Sequence, residues 1–294
     1  MTATVVTEEL AGRLAAVRGV VFDIDGCLAL FDPHSNYTGF ALPGAVELVR
    51  AVRHSGRSLV AFTNASSKTP AAISETLRGL GIDVNVAEVL TPSVVAAEVV
   101  RKRFGDQLVL AFGGPGLVDV LIEEGVQVVD HSHDGQVAAV VIGWDTAFTR
   151  DRLQRAAEAL WDGAELLVTS DARRFASRGR PVAGLSGFIA SGLRHVTGTS
   201  YEVLGKPSPT AMEIAARRLS VAPSEVLTVG DDLTLESRMA KAAGAVAVLV
   251  TTGTHRAEDV VGAPEGDRPD LVVAGLDELI ALWPGLRRND GEVA

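Results

Sequence analysis

Short apolar runs recur along the chain, and each ends in a small or polar residue before a segment of helical spacing begins. Gly19 to Phe22 runs into Asp23, Ser58 to Phe62 into Thr63 and Asn64, residues 225–229 into Gly230 and Asp231, and residues 245–250 into a Thr-Thr-Gly turn. Runs that stay apolar on both faces and alternate with amphipathic stretches predict buried strands of a parallel sheet with helices packed on it. Helices are expected over 44–55, 70–80, 92–103, 208–219 and 233–243, several with proline in the first turn and with Gly81 and Gly244 as stops. A second series lies between, with strands at 108–112, 126–129, 137–142 and 166–169 and helices ending near 124 and spanning 150–161. The expected fold class is α/β: a Rossmann-like, doubly wound parallel-sheet core made of residues 1–104 and 184–294, with an α/β cap inserted at 105–183.

Composition narrows the function classes. With 294 residues and 47% hydrophobic content the chain can bury a large core, and its size suits one domain carrying a smaller insert. A formal charge of -10 argues against a general nucleic-acid partner, because no excess of cations is available to displace phosphate counterions. Apolar runs such as 138–142 and 245–250 are far too short to span a bilayer, and the first residues do not read as a secretory leader, so no membrane partner is expected. Cys27 is the only cysteine, which excludes an intrachain disulfide and makes the cytoplasm the default location.

The candidate chemistry sits at the ends of the strands, where ligand crevices form in open parallel sheets. Val21-Phe22-Asp23-Ile24-Asp25-Gly26 sets two carboxylates two residues apart after an apolar run, with a glycine that lets the chain turn. The first carboxylate can attack phosphorus while the second donates a proton to the leaving oxygen. A bare D-x-D-G is more often only a capped turn; its context changes that reading. Thr63 and Asn64 end a second strand, Lys206 lies in Gly205-Lys206-Pro207, and Asp231 and Asp232 follow Gly230 with Glu236 within helical reach. Together they offer a hydroxyl and an amide for phosphate oxygens, a cation for phosphoryl charge, and acidic groups for Mg²⁺.

On these motifs the sequence resembles the haloacid dehalogenase superfamily, in its phosphatase branch with an inserted α/β cap (subfamily IIA), which includes p-nitrophenyl phosphatases, phosphoglycolate phosphatases and pyridoxal phosphate phosphatases. LPGA at 42–45, FTNASSKT at 62–69, IGWD at 142–145 and LGKPSP at 204–209 are further landmarks, so the likeness covers nearly the whole chain. The resemblance implies Asp23 as nucleophile, Asp25 as general acid and then base, Thr63 and Asn64 at the phosphoryl group, and Lys206 bridging nucleophile and phosphate. It also implies Mg²⁺ as cofactor, held by Asp23, the backbone carbonyl of Asp25, and Asp231, with Asp232 and Glu236 as supporting acids. The implied partner is a small phosphorylated metabolite, over which the cap closes, and related caps carry the expectation of a homodimer through that unit. Asp25 separates the chain from hydrolytic dehalogenases, since a departing halide needs no acid.

Three features depart from the branch. Glu236 replaces the usual aspartate, Thr169-Ser170-Asp171 replaces a Thr-Asn-x-Asp sequence in the cap, and residues 30–37 form a longer polar loop that would gate the entrance. Arg173, Arg174, Arg178 and Arg180 either form a solvated loop or attract a second anionic group on the substrate. His131 and His133 read as a surface turn, Cys27 as buried packing, Phe112 to Gly116 as a cap turn, and Trp144 and Trp161 as cap packing. Two other functions stay open: a phosphotransferase or mutase of the same fold, and a non-catalytic sensor of a phosphorylated metabolite.

Overall fold

The computed structural model describes residues 6–32, 38–284 and 286. Its larger sheet has six parallel strands in the order Leu271–Val273, Val246–Val250, Val226–Gly230, Gly19–Phe22, Ser58–Phe62 and Val89–Leu90. The central strands are buried on both faces, which is why their sequences are apolar runs without alternation. Val20 and Phe22 pack into one layer with the helices Ala45–His54 and Leu276–Leu282, whereas Val21 packs into the opposite layer with the helix Pro209–Leu219. Register then sets the functional edge. Phe22 pairs with Val229 on one side and Ala61 on the other, so Asp23, Thr63 and Asp231 leave the sheet at the same end.

The second sheet has five parallel strands in the order Tyr201–Val203, Glu165–Val168, Ala139–Ile142, Val109–Phe112 and Val128–Val129. Here the structure corrects the expected boundary at 183. The helix Leu185–Thr197 packs with the helix Arg150–Trp161 on this sheet, and Tyr201–Val203 is its edge strand, so the chain leaves the inserted unit only after Val203. Leu185–Thr197 carries Gly187 and Gly192 within an apolar stretch, which dilutes its helical signal in the sequence. The helix Glu8–Ala16 also went unread; it buries only Leu10 and Leu14.

The two sheets are not separate bodies joined by linkers. The helix Pro92–Phe104 buries Val95, Ala96 and Val100 in one apolar cluster with Val60 and Met212 of the larger unit and Val109, Leu117 and Leu121 of the smaller. Gly116, in the first turn of the helix Pro115–Glu123, lies against residues 66–68; a Cβ there would come within 2.6 Å of the Ser66 carbonyl oxygen. This is the role of the FGGPG turn. Ser66 Oγ joins Thr169 Oγ1 at 3.0 Å and accepts from Trp144 N at 3.0 Å, tying the same loop to two cap strands.

Two small hairpins complete the cleft, Ala29–Phe31 with Gly39–Ala41 and Arg174–Phe175 with Val182–Ala183. The Arg178 amide donates to the Phe31 carbonyl at 2.8 Å and links them. Most of the loop expected to gate the entrance, at 33–37, and the tail 287–294 lie outside the described residues. Among the described residues no helix is long and apolar enough to cross a membrane.

Candidate active site

Lys206 is the fully buried centre of the site, 1% exposed. Its Nζ contacts Asp23 Oδ1, the Phe62 carbonyl at 2.7 Å and Glu236 Oε1 at 2.7 Å. Asp23 and Phe62 come from adjacent strand ends, and the lysine arrives on the loop that follows the edge strand of the second sheet. That loop is held from both units. Gly205 N donates to the Thr169 carbonyl at 2.9 Å, while Asn64 accepts from Lys206 N at 2.8 Å and donates to Lys206 O at 2.9 Å. Asn64 was expected at the phosphoryl group, but its side-chain amide is instead bonded to the main chain of Lys206.

Glu236 reaches Lys206 through a local change of helix. The segment expected as one helix over 233–243 opens with a π-helical turn, Leu233–Ser237, before the α-helix Arg238–Ala242. Such widened turns recur at functional sites because they redirect one side chain. Glu236 Oε2 accepts from Asp232 N at 3.1 Å, so the carboxylate spans the lysine and the strand end. Gly230 leaves the space: a Cβ there would lie 2.7 Å from the Glu236 Cβ.

Asp25 accepts from Thr63 Oγ1 at 3.0 Å, and that hydroxyl accepts from Ala65 N at 2.9 Å. Thr63 thus orients Asp25 in this state of the protein. Asp231 is 3% exposed and accepts from Thr254 N at 2.6 Å. Asp232 accepts from Thr234 N and Oγ1 at 2.7 and 2.8 Å. His255 Nδ1 stands 3.6 Å from Asp232 Oδ1, yet it accepts from Leu233 N at 3.3 Å, so that nitrogen carries a lone pair and the contact is no ion pair.

Electrostatically the site holds more anion than its one ammonium offsets. Burial pushes the Asp23 carboxyl up to about 6, against the attraction of Lys206 and with repulsion from Asp25. Burial likewise raises Glu236 to about 7, opposed by Lys206 and reinforced by Asp23 and Asp232. Asp231 goes well above the usual carboxylate range through burial and then the charges of Asp23 and Glu236. Asp25 is raised by burial, against the Thr63 hydrogen bond and Lys206. Lys206 itself loses solvation, but Asp23 and Glu236 outweigh that and hold it charged.

These residues fit a divalent cation. Two buried, mutually repelling carboxylates, Asp23 and Asp231, share one corner with a backbone turn, a donor set suited to an ion that keeps several waters and takes one or two carboxylates. No cluster of three metal-binding His, Cys, Asp or Glu side chains occurs among the described residues. The expected set does not require one, since its third protein donor is the carbonyl of Asp25.

A cavity of about 150 Å³ opens beside Asp25, walled by Phe31, Trp144, Phe175 and Val182. Trp144 meets Phe175 edge to face at 6.0 Å. Neither aromatic is marked as a site residue by the sequence, apart from the position of Trp144 in IGWD. Arg173 and Arg174 do not line this cavity but a separate groove, and Arg178 and Arg180 are exposed. His131 is exposed in a turn as expected, whereas His133 is half-buried, its carbonyl accepting from Arg155 Nε; Cys27 is buried.

Comparison with known proteins places the chain in a family. A family model described as haloacid dehalogenase-like hydrolase matches residues 20–127, and a second, HAD-hydrolase-like, matches 203–279. Human chronophin is 30% identical over 288 residues, covering 93% of this chain and 94% of its own. The crystal structure of 4-nitrophenylphosphatase from Thermotoga maritima superposes with a TM-score of 0.81 at 29% identity, covering 92% of this chain and 98% of that one. Glycerol phosphate phosphatase from Mycobacterium tuberculosis in complex with magnesium gives 0.80 at 26% identity, covering 91% and 77%. The chain belongs to the haloacid dehalogenase-like hydrolases, in the subfamily IIA branch that carries an inserted α/β cap.

Proposed function

We propose that this protein is a Mg²⁺-dependent phosphatase that hydrolyses a small organic phosphate monoester through an aspartyl-phosphate on Asp23. The observation that carries the reading is the pair of contacts at the strand ends, Lys206 Nζ on Asp23 and Thr63 Oγ1 on Asp25. They leave one carboxylate beside a cation and the other beside a neutral hydroxyl in a cavity, which suits the first as nucleophile and the second as acid.

An Asp23 carboxylate oxygen attacks phosphorus, and the bond to the leaving oxygen breaks as Asp25 gives that oxygen its proton. Asp25, now a carboxylate, takes a proton from water as the water attacks the phosphorylated Asp23, which releases inorganic phosphate and restores the carboxylate. Lys206 offsets the phosphoryl charge throughout, and Glu236 and Asn64 hold Lys206 in place. Mg²⁺, held by Asp23, the Asp25 carbonyl and Asp231, would neutralise further charge on the phosphoryl oxygens. Asp232 supports the metal corner by fixing the turn that follows Asp231. The leaving group occupies the cavity beside Asp25, where Trp144 and Phe175 exclude water.

The names of the relatives support the reaction class: a 4-nitrophenylphosphatase and a glycerol phosphate phosphatase, the latter seen with magnesium. A homodimer through the inserted unit belongs to the same reading, supported by Phe188 and Trp161, which are 75% and 57% exposed on its two adjoining helices. The test is phosphate release from p-nitrophenyl phosphate and a panel of small phosphates, with and without Mg²⁺, in the wild type and Asp23→Asn. Release that needs Mg²⁺ and disappears in the variant is the expected result. No release from any compound would overturn the reading.

A further inference from the structure

The walls of the cavity beside Asp25 limit what can occupy it. Phe175 and Val182 are directly paired on the two strands of one hairpin, so their side chains stand on the same face of it. Trp144 follows the cap strand Ala139–Ile142 and meets Phe175 with the ring planes at 70°. Phe31 comes from the core hairpin, and the bond from the Arg178 amide to its carbonyl ties the two hairpins together. Three aromatic rings and a valine, supplied by both units, thus line the space next to the Asp25 carboxyl.

Size and shape narrow the occupant. The cavity measures about 150 Å³. An apolar cavity of about that volume holds one benzene-sized ring. An edge-to-face aromatic pair also offers a third ring both a face and an edge to pack on.

Charge narrows it further. Among the described residues no lysine, arginine or histidine lines the cavity, whereas the carboxyl groups of Asp25 and Asp32 do. Asp25 becomes a carboxylate when it gives its proton to the leaving oxygen. A second anion on the leaving group would then lie beside like charge with no cation to offset it. Arg173 and Arg174, which the sequence offered as partners for such an anion, line a groove that shares no residue with this cavity. Arg178 and Arg180 are exposed and line neither.

We propose that the substrate is the phosphate monoester of an uncharged alcohol or phenol bearing one small aromatic ring, and that Trp144 and Phe175 set this specificity. The inference rests on the phosphatase reading, in which Asp25 marks where the leaving group lies. The ring packs between Trp144, Phe175 and Phe31 while the phosphate reaches Asp23. Esters whose leaving group carries a carboxylate or a second phosphate are rejected.

The test is calorimetric titration of the full chain in Mg²⁺ with phosphonates, whose P–C bond is not hydrolysed. Benzylphosphonate should bind at least ~10-fold more tightly than methylphosphonate, the gain expected from burying one ring. In Trp144→Ala and Phe175→Ala that ratio should fall to about 3-fold or less, and taking the ratio removes any loss common to both ligands. (4-Carboxybenzyl)phosphonate should bind at least ~5-fold more weakly than the neutral (4-carbamoylbenzyl)phosphonate of the same size. Circular dichroism melts establish that the variants are folded, and the wild-type series decides alone where one is not. Equal binding of benzylphosphonate and methylphosphonate by the wild type would overturn the proposal, as would a ratio unmoved in both folded variants or a carboxylate bound as well as the carboxamide. These preferences without phosphate release from any ester would remove the phosphatase reading alone; release without these preferences would remove only the aromatic specificity.

Discussion

Asn64 grips Lys206 by both of its main-chain polar groups, accepting from its N–H at 2.8 Å and donating to its carbonyl at 2.9 Å. The two residues are 142 positions apart, one on the loop leaving a central strand of the larger sheet and the other on the loop leaving the smaller. The ammonium is therefore positioned by a contact between the two units. Asn64→Ala removes both bonds, and displacement of a catalytic group by about 1 Å can cost ~100-fold in rate. The expected outcome in steady-state kinetics on p-nitrophenyl phosphate is a fall of about 10- to 100-fold in kcat with a smaller change in KM. A change confined to KM would return Asn64 to direct substrate binding.

Much of this arrangement was legible in the sequence, and the boundary of that legibility is physical. Asp23 and Asp231 stand at strand ends that register brings together, and strand ends are readable from apolar runs, whereas Asp25 and Lys206 were legible from the Asp-Ile-Asp-Gly and Gly-Lys-Pro motifs. The bonds made by Asn64 and Thr63 were not readable, because residue type gives hydrogen-bonding capacity and only tertiary contact gives the partner. The π-turn at Leu233–Ser237 was missed for the same reason: its helical periodicity is ordinary, and the demand comes from Lys206. Tyr201–Val203 has three half-buried residues at a sheet edge, too short a run to carry a pattern.

Lys206→Met tests the charge balance. The substitution keeps an unbranched side chain in the same space but leaves Asp23 and Glu236 buried without their cation. Loss of one partner from a buried pair typically costs about 3–5 kcal/mol. Urea unfolding at neutral pH should show a loss of that order, and adding Glu236→Gln should restore part of it. A double variant no more stable than Lys206→Met would mean that the two side chains do not share this energy.

Asp270 ties the N-terminal helix to the sheet, bonding Arg13 at 2.7 Å, Lys241 at 2.8 Å and Ala247 N at 2.8 Å. Burial alone would raise its carboxyl, but these three partners outweigh burial and hold it below the ordinary range. A carboxyl depressed in the folded state contributes stability that is present above its unfolded value near 4 and is lost as pH falls through its folded value. Asp270→Asn should therefore cost about 1.5–3 kcal/mol at neutral pH, and the difference from wild type should shrink below about pH 4. Denaturant midpoints measured from pH 3 to 7 would show it; a constant difference would exclude the charge as the cause.

Phe188 and Trp161 give the dimer reading a direct test. Phe188→Glu places a charge on a side chain that is 75% exposed, so it should leave the monomer's stability nearly unchanged. Sedimentation should show a dimer in the wild type and a monomer in the variant. A wild-type monomer, or a variant dimer, would remove this face from consideration.

The contact between Gly116 and residues 66–68 makes the packing of the two units measurable with one added carbon. In Gly116→Ala the new Cβ would approach the Ser66 carbonyl to 2.6 Å, and backbone atoms of Ser67 and Lys68 crowd the same point, so the helix Pro115–Glu123 must shift. Forcing extra atoms into a filled interior typically costs about 1–3 kcal/mol. The loop that has to yield also carries Thr63 and Asn64 at its start, so activity should fall together with stability. Gly114, two residues earlier, has open space where its Cβ would go, and its φ of -82° suits any residue. Gly114→Ala should accordingly leave both quantities near wild type. If the two alanine variants behaved alike in melts and in turnover, the inserted unit would be free to move off the core loop, and the shared apolar cluster around Pro92–Phe104 would not fix its position.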